Sequence, residues 1–186
     1  MVAKPATAPA DAPELLERAG ELRTLTSAFD VAVHVRRGRF VLVSGEAGLG
    51  KTTLLRYFCD QHLNGAPIFW GACDPLFTPR PLGALLDIAE SVGGDFAEYL
   101  AEGRELHELV GALVRTLATH RPAVVVFEDV HWADEATLDV LRVLSRKVED
   151  VAALVLLART ATTSSSGVIR CGERSASSPR SAPSAA

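Results

Sequence analysis

Residues 39–60 read R-F-V-L-V-S-G-E-A-G-L-G-K-T-T-L-L-R-Y-F-C-D, and their order decides the fold. Gly45 to Thr52 match G-x-x-x-x-G-K-[ST] in full, the pattern of a phosphate-binding loop. Arg39 to Ser44 is a short apolar run of strand type, and Lys51 to Asp60 has helical spacing. The loop is therefore expected between a strand and a helix, the setting in which such a loop works. The alternative is a chance Gly-rich turn, which ordinary residue usage produces on the order of once in a hundred chains of this length. The flanking elements make that alternative rarer still.

Each residue type in the motif has a chemical part. Backbone N–H groups along Gly45, Glu46, Ala47, Gly48, Leu49 and Gly50 can turn inward around phosphates, because the glycines accept the necessary backbone angles. Lys51 carries a point charge toward the β and γ phosphates, which makes it both a binding and a catalytic candidate. The Thr52 hydroxyl can ligate Mg²⁺, and Thr53 follows it on the opening turn of the helix. The implied ligand is a nucleoside triphosphate with magnesium.

Composition sets limits around that site. The chain has 186 residues, 48% of them hydrophobic, which suits one α/β domain with a real core. A net charge of −4 with no basic stripe gives no footprint for direct nucleic-acid contact by this segment. Cys59, Cys73 and Cys171 lack metal spacing and leave an odd thiol, which suits a reducing compartment, with the first two read as buried structural residues. No apolar run approaches the roughly 18 residues needed to span a bilayer, and the Ala/Pro-rich start has no hydrophobic signal core. The chain reads as soluble and cytoplasmic.

Working outward, residues 1–14 read as a disordered tail and Leu15 to Val35 as a helix ahead of the first strand. Pro67 to Gly71 predicts a strand, and Pro81 to Ser91 a helix stopped by Gly93 and Gly94. Glu105 to His120 predicts a helix, followed by Ala123 to Phe127, apolar at every position, as a parallel strand covered on both faces. Asp134 is an N-cap candidate for the next helix, and Val151 to Ala158 reads as the last strand. Alternating strands and helices argue for a three-layer α/β fold with a mainly parallel sheet. From Arg159 onward, few large apolar residues remain and no period is visible, so residues 159–186 are expected to be disordered.

A second motif lies at the end of the strand 123–127, where Glu128 and Asp129 form the Walker B pattern of an apolar strand ending in acids. By position, Glu128 would hold magnesium directly or through water, and Asp129 would orient and polarise the attacking water. The usual order is Asp then Glu, so the reversal leaves both roles open. His131 and Trp132 read as a capped turn with the indole packed on the next helix, which is favoured over a role for His131 beside the γ-phosphate that analogy alone would give it.

Three segments together carry a family likeness: V-L-V-S-G-E-A-G-L-G-K-T-T-L-L, Gly71 to Ala89 (G-A-C-D-P-L-F-T-P-R-P-L-G-A-L-L-D-I-A) and Val124 to Asp139 (V-V-V-F-E-D-V-H-W-A-D-E-A-T-L-D). They closely resemble the P-loop ATPase domain of large ATP-binding LuxR-type transcriptional regulators, of the AAA-like signal-transduction branch. Leu15 to Leu25 resembles that family's upstream box L-x-G-R-x-x-E-L-x-x-L, with Glu17 for its Gly and Ala19 for a polar residue. The likeness covers about residues 15–158. It implies the P-loop NTPase fold, incomplete at the C-terminus, with ATP and Mg²⁺ as ligands and adenine contacts near Arg18. It further implies a last strand lying between the two motif-bearing strands, and a nucleotide switch whose DNA-binding effector is absent from this chain.

The tail fits a frameshift. Back-translating Ala158 to Pro179 with GC-rich codons and reading two bases later allows A-Y-R-D-D-E-L-V-R-G-H-P-L-R-R-A-L-G-E-L-A, close to how such regulators continue. The gene's nucleotide sequence tests this, and an alternate frame without family similarity would sink it. On this reading the arginine that senses the γ-phosphate in such proteins is lost, Arg159 being near in sequence but in the wrong context. The next strand and the helical lid are lost with it, which leaves Phe40 to Ser44 as an open, aggregation-prone edge. An ATPase switch domain is thus weighed against an inactive remnant of such a regulator or a non-catalytic module that self-associates or pairs with related ATPase domains through that edge. A small-molecule kinase, which could recruit Arg56 and Arg80, is disfavoured because no lid with paired arginines follows the loop.

Overall fold

The computed structural model describes residues 18–75, 80–161 and 167–171. In chain order these form α1 (Ala19–His34), β1 (Arg39–Gly45), α2 (Lys51–His62), β2 (Ile68–Ala72), α3 (Gly83–Val92), α4 (Gly94–Ala101), α5 (Leu106–Thr119), β3 (Ala123–Glu128), α6 (Glu135–Lys147), β4 (Ala153–Thr160) and β5 (Gly167–Cys171). The sheet order is β2-β3-β4-β1-β5. The first four of these strands run parallel to one another, and β5 is antiparallel to β1. As expected, β4 lies between the loop-bearing strand β1 and the acid-bearing strand β3.

Alternation along the central strands divides the core in two. Val124 and Val126 of β3 and Leu154 and Leu156 of β4 pack with Leu54, Leu55 and Phe58 of α2 and with Leu25 and Phe29 of α1. Their neighbours Val125, Phe127 and Val155 face the other way, onto α3, α4, α5 and α6. Both sheet faces are thus buried, which is why β3 reads as an unbroken apolar run rather than an alternating one. Gly71 lets α3 come close to β2, since a Cβ there would overlap the Ala84 carbonyl.

The sequence reading needs correction in three places. Gly93 ends α3, but Gly94 begins α4 instead of a loop, and Phe96 and Leu100, one turn apart, carry that helix into the core. The stretch read as disordered from Arg159 holds the last two residues of β4 and all of β5; residues 1–17, 162–166 and 172–186 lie outside the described residues. The edge expected to be open at β1 is covered, because β5 pairs with it from Phe40↔Cys171 to Ser44↔Gly167. The physical basis for edge-driven aggregation or pairing at β1 is therefore missing. Among the described residues no helix is long and apolar enough to cross a membrane.

Candidate functional site

The carboxyl ends of β1, β3 and β4 reach the same end of the parallel sheet, the end where open α/β sheets bind ligands. From β1 the chain leaves at the buried Gly45, runs through exposed Glu46, Ala47, Gly48 and Leu49, and enters α2 at the buried Lys51, with Thr52 and Thr53 exposed on its first turn. Gly48 and Gly50 have φ of 80° and 65°, a left-handed conformation that a side chain would strain. Within the loop Leu49 N–H bonds to the Glu46 carbonyl at 3.4 Å, and Leu54 N–H bonds to the Gly50 carbonyl at 2.9 Å. Among the described residues no backbone carbonyl accepts from the N–H groups of Ala47, Gly48, Gly50, Lys51, Thr52 or Thr53. A row of free N–H donors at a helix N-terminus is a ready anion cradle.

Lys51 completes the positive character of the loop. Its Nζ donates to the carbonyl oxygens of Gly45 at 3.0 Å and Glu46 at 2.9 Å, which holds the ammonium at the loop instead of in solvent. From the other side Arg18, just ahead of α1, donates through Nη2 to the Leu49 carbonyl and pairs with Glu21 at 3.6 Å. Arg18 is therefore brought to the loop itself.

On β3, Glu128 follows Val124 and Val126 in parity, so its side chain lies on the α2 face of the sheet, the face whose helix begins with Lys51 and Thr52. The indole N–H of Trp70 donates to Glu128 Oε2 at 2.7 Å. Asp129 has φ 50° and ψ 43°, a left-handed conformation that Asp tolerates better than most residues and that recurs at functional sites. It turns the chain into a single 3₁₀ turn at residues 130–132. His131 Nδ1 accepts from Thr160 N–H at 3.3 Å and lies 3.8 Å from Asp129 Oδ1, joining this turn to the end of β4. Arg159, on the same strand end, is exposed and in register with Ser44.

A family model for the AAA ATPase domain matches residues 14–157. The chain belongs to this family. Among solved structures the domain is similar to a chain of Drosophila ORC, from a structure of ORC bound to DNA, with 14% identity, a TM-score of 0.51, and coverage of 81% of this chain and 80% of that one. It also matches a chain of C. elegans PCH-2 at 15% identity and a TM-score of 0.41, covering 76% of this chain and 37% of that one. No curated protein matches it. At such identity the ORC likeness is one of fold, and it agrees with the P-loop sheet described above.

One side chain in the AAA domain sits differently from the sequence reading, and another has a partner that the reading did not foresee. Trp132 is 49% exposed instead of packed on α6, and its ring lies 5.1 Å from that of His131. It borders a small pocket with Cys73, Asp74, Arg80, Ala84 and Asp134. Trp70, which carries no motif, proves to be a direct partner of Glu128. Asp134 does cap α6: its Oδ1 accepts from Thr137 N–H at 3.0 Å, and its Oδ2 from the Thr137 hydroxyl at 2.5 Å and from Leu82 N–H at 3.2 Å. Burial pushes this carboxyl up, but those hydrogen bonds outweigh it and hold it below the ordinary aspartate range. Burial, aided by Asp60, pushes the Cys59 thiol up to about 12. Burial, with Asp134 and other nearby acids, takes Cys73 to about 11. Among the described residues no group of three His, Cys, Asp or Glu side chains could by itself hold a metal ion.

Proposed function

We propose that this AAA domain is the ATP-binding switch of a LuxR-type transcriptional regulator, with magnesium-dependent hydrolysis at the same site. The observation that carries the nucleotide reading is the loop itself. Its free N–H groups and the Lys51 ammonium converge at the start of α2, and Glu128 and Asp129 stand at the end of the same sheet. The residues fit the group. The donors are those a triphosphate accepts from, and one hydroxyl plus one carboxylate suits a cation that keeps most of its own water and draws further oxygens from phosphate. The regulator context rests on the three quoted segments, whose middle member separates this branch from other P-loop proteins.

Bound Mg-ATP would supply the phosphoanhydride and the charge that polarises it. The chain's own residues do the rest. The loop N–H groups and Lys51 bind and orient the phosphates, while Thr52 and Glu128 hold the metal side. Arg18 steadies the loop at Leu49 and stands near the adenine in the family likeness. Asp129 is the base that takes a proton from water, held in place by the turn that His131 ties to β4. Self-association belongs to the same proposal, and sedimentation with and without Mg-ATP tests it. Steady-state phosphate release tests the enzyme reading: turnover that needs both magnesium and Lys51 supports it, release that needs neither removes it, and release that persists unchanged in Asp129→Asn moves the base role to Glu128.

A further inference from the structure

We propose that Trp70 is a positioning residue for Glu128, fixing how that carboxylate meets the magnesium of the nucleotide; the inference rests on the nucleotide reading above. In the β2–β3 ladder Ala72 is in register with Glu128 and Trp70 with Val126, so Trp70 and Glu128 sit diagonally on one face. That is the face covered by α2. The indole N–H meets Glu128 Oε2 at 2.7 Å in a partly buried setting. The Arg56 guanidinium, from the helix that begins with Lys51 and Thr52, stands 5.4 Å above the centre of the Trp70 ring. The indole is thus braced by the helix that supplies the rest of the site.

The chemistry of this contact is one-sided. Indole nitrogen only donates, so it can only hold the carboxylate and never competes as a ligand. A hydrogen bond to an ionised, partly buried oxygen is among the stronger kinds. It occupies Oε2, and Oε1 has no hydrogen-bond partner among the described residues, which leaves that oxygen to face a cation or its water. Glutamate has one more rotatable bond than the aspartate usual at this position. Without a restraint, that freedom would have to be lost each time the metal binds. Trp70 removes it beforehand.

The test compares two affinities in the full chain by calorimetry: ATP with magnesium, and ATP with EDTA. Wild-type protein is expected to favour Mg-ATP. Trp70→Phe keeps the ring but loses the N–H; it should leave the EDTA affinity within about twofold and cut the magnesium advantage about tenfold, the size of a lost charge-assisted bond plus side-chain freedom. In a Glu128→Asp background the shortened carboxylate no longer reaches the indole, so Trp70→Phe should then change neither affinity. If Trp70→Phe does not fold, 3-benzothienylalanine at position 70, with sulfur in place of N–H, makes the same comparison. Equal loss of both affinities, no loss of either, or the same loss in the Glu128→Asp background would overturn the positioning role. If wild type binds ATP with no magnesium advantage, the inference falls while the nucleotide site stands. If it binds neither form, the nucleotide reading itself has failed.

Discussion

The Nδ1 atom of His131 accepts a hydrogen bond from the backbone N–H of Thr160 at 3.3 Å, so the turn after β3 is pinned to the end of β4. This requires the tautomer with its proton on Nε2. Asp129 lies within the pinned segment, in its left-handed conformation. His131→Ala should release the turn and lower kcat about tenfold with KM nearly unchanged, because orientation is lost and binding is not. His131→Asn, whose amide oxygen can stand where Nδ1 stood, should recover most of that rate. Equal rates for the Ala and Asn variants would show that the bond does not orient Asp129.

The two acids should separate in their kinetics. Asp129→Asn is expected to lower turnover by about 10²- to 10⁴-fold, the usual cost of removing a general base, and to leave Mg-ATP affinity almost intact. Glu128→Gln should weaken magnesium dependence first, because its carboxylate is on the α2 face. Single-turnover assays over a magnesium series distinguish the two. If the pattern is reversed, Glu128 takes the role of base and Asp129 the metal side.

Asp134 links the domain's stability to pH. Its folded carboxyl titrates below its ordinary value, so its stabilising contribution is present above the unfolded pKa and lost as pH falls through the folded one. Asp134→Ala should cost about 1–2 kcal/mol at neutral pH, the range for loss of an N-cap. Below about pH 4 the wild type should approach the variant. Urea titrations of both chains between neutral and acid pH check this, and a constant gap across that range would rule the linkage out.

Cys59 and Cys73 are both buried and free, with thiols held far above neutral pH. Neither should be alkylated by iodoacetamide at pH 7.5 in the native chain, and both should react rapidly in denaturant. Peptide mapping by mass spectrometry reads the two positions directly. Rapid native labelling of Cys73 would mean that the β2–α3 connection opens in solution.

The legible part of this fold was the part written in local chemistry. Gly45 to Thr52 could be read because each position in a phosphate loop demands a residue type, and β3 because a strand buried on both faces shows no alternation. Asp134 was legible because caps depend on neighbours a few residues away. The missed features depend on partners distant in sequence. Nothing around Trp70 points to Glu128, 58 positions further on; the β2–β3 register is what places them together. β5 was missed because G-V-I-R-C is short and lies among serines, with its hydrogen bonds made to β1 far upstream. α4 was missed because Gly93 and Gly94 read as a stop, whereas positive φ at both turns the chain directly into the next helix, which starts at Gly94.

The most direct test of the account is a calorimetric titration of the purified chain with Mg-ATP beside Lys51→Ala. Lys51 Nζ is held at the loop by the Gly45 and Glu46 carbonyls. Its removal should weaken binding about 10- to 100-fold, the range for a lost charge-assisted interaction. Wild-type saturation at one nucleotide per chain, with that loss in the variant, is the expected result. A folded wild type that takes up no Mg-ATP, or a Lys51→Ala chain that binds it equally well, would contradict a nucleotide site at this loop.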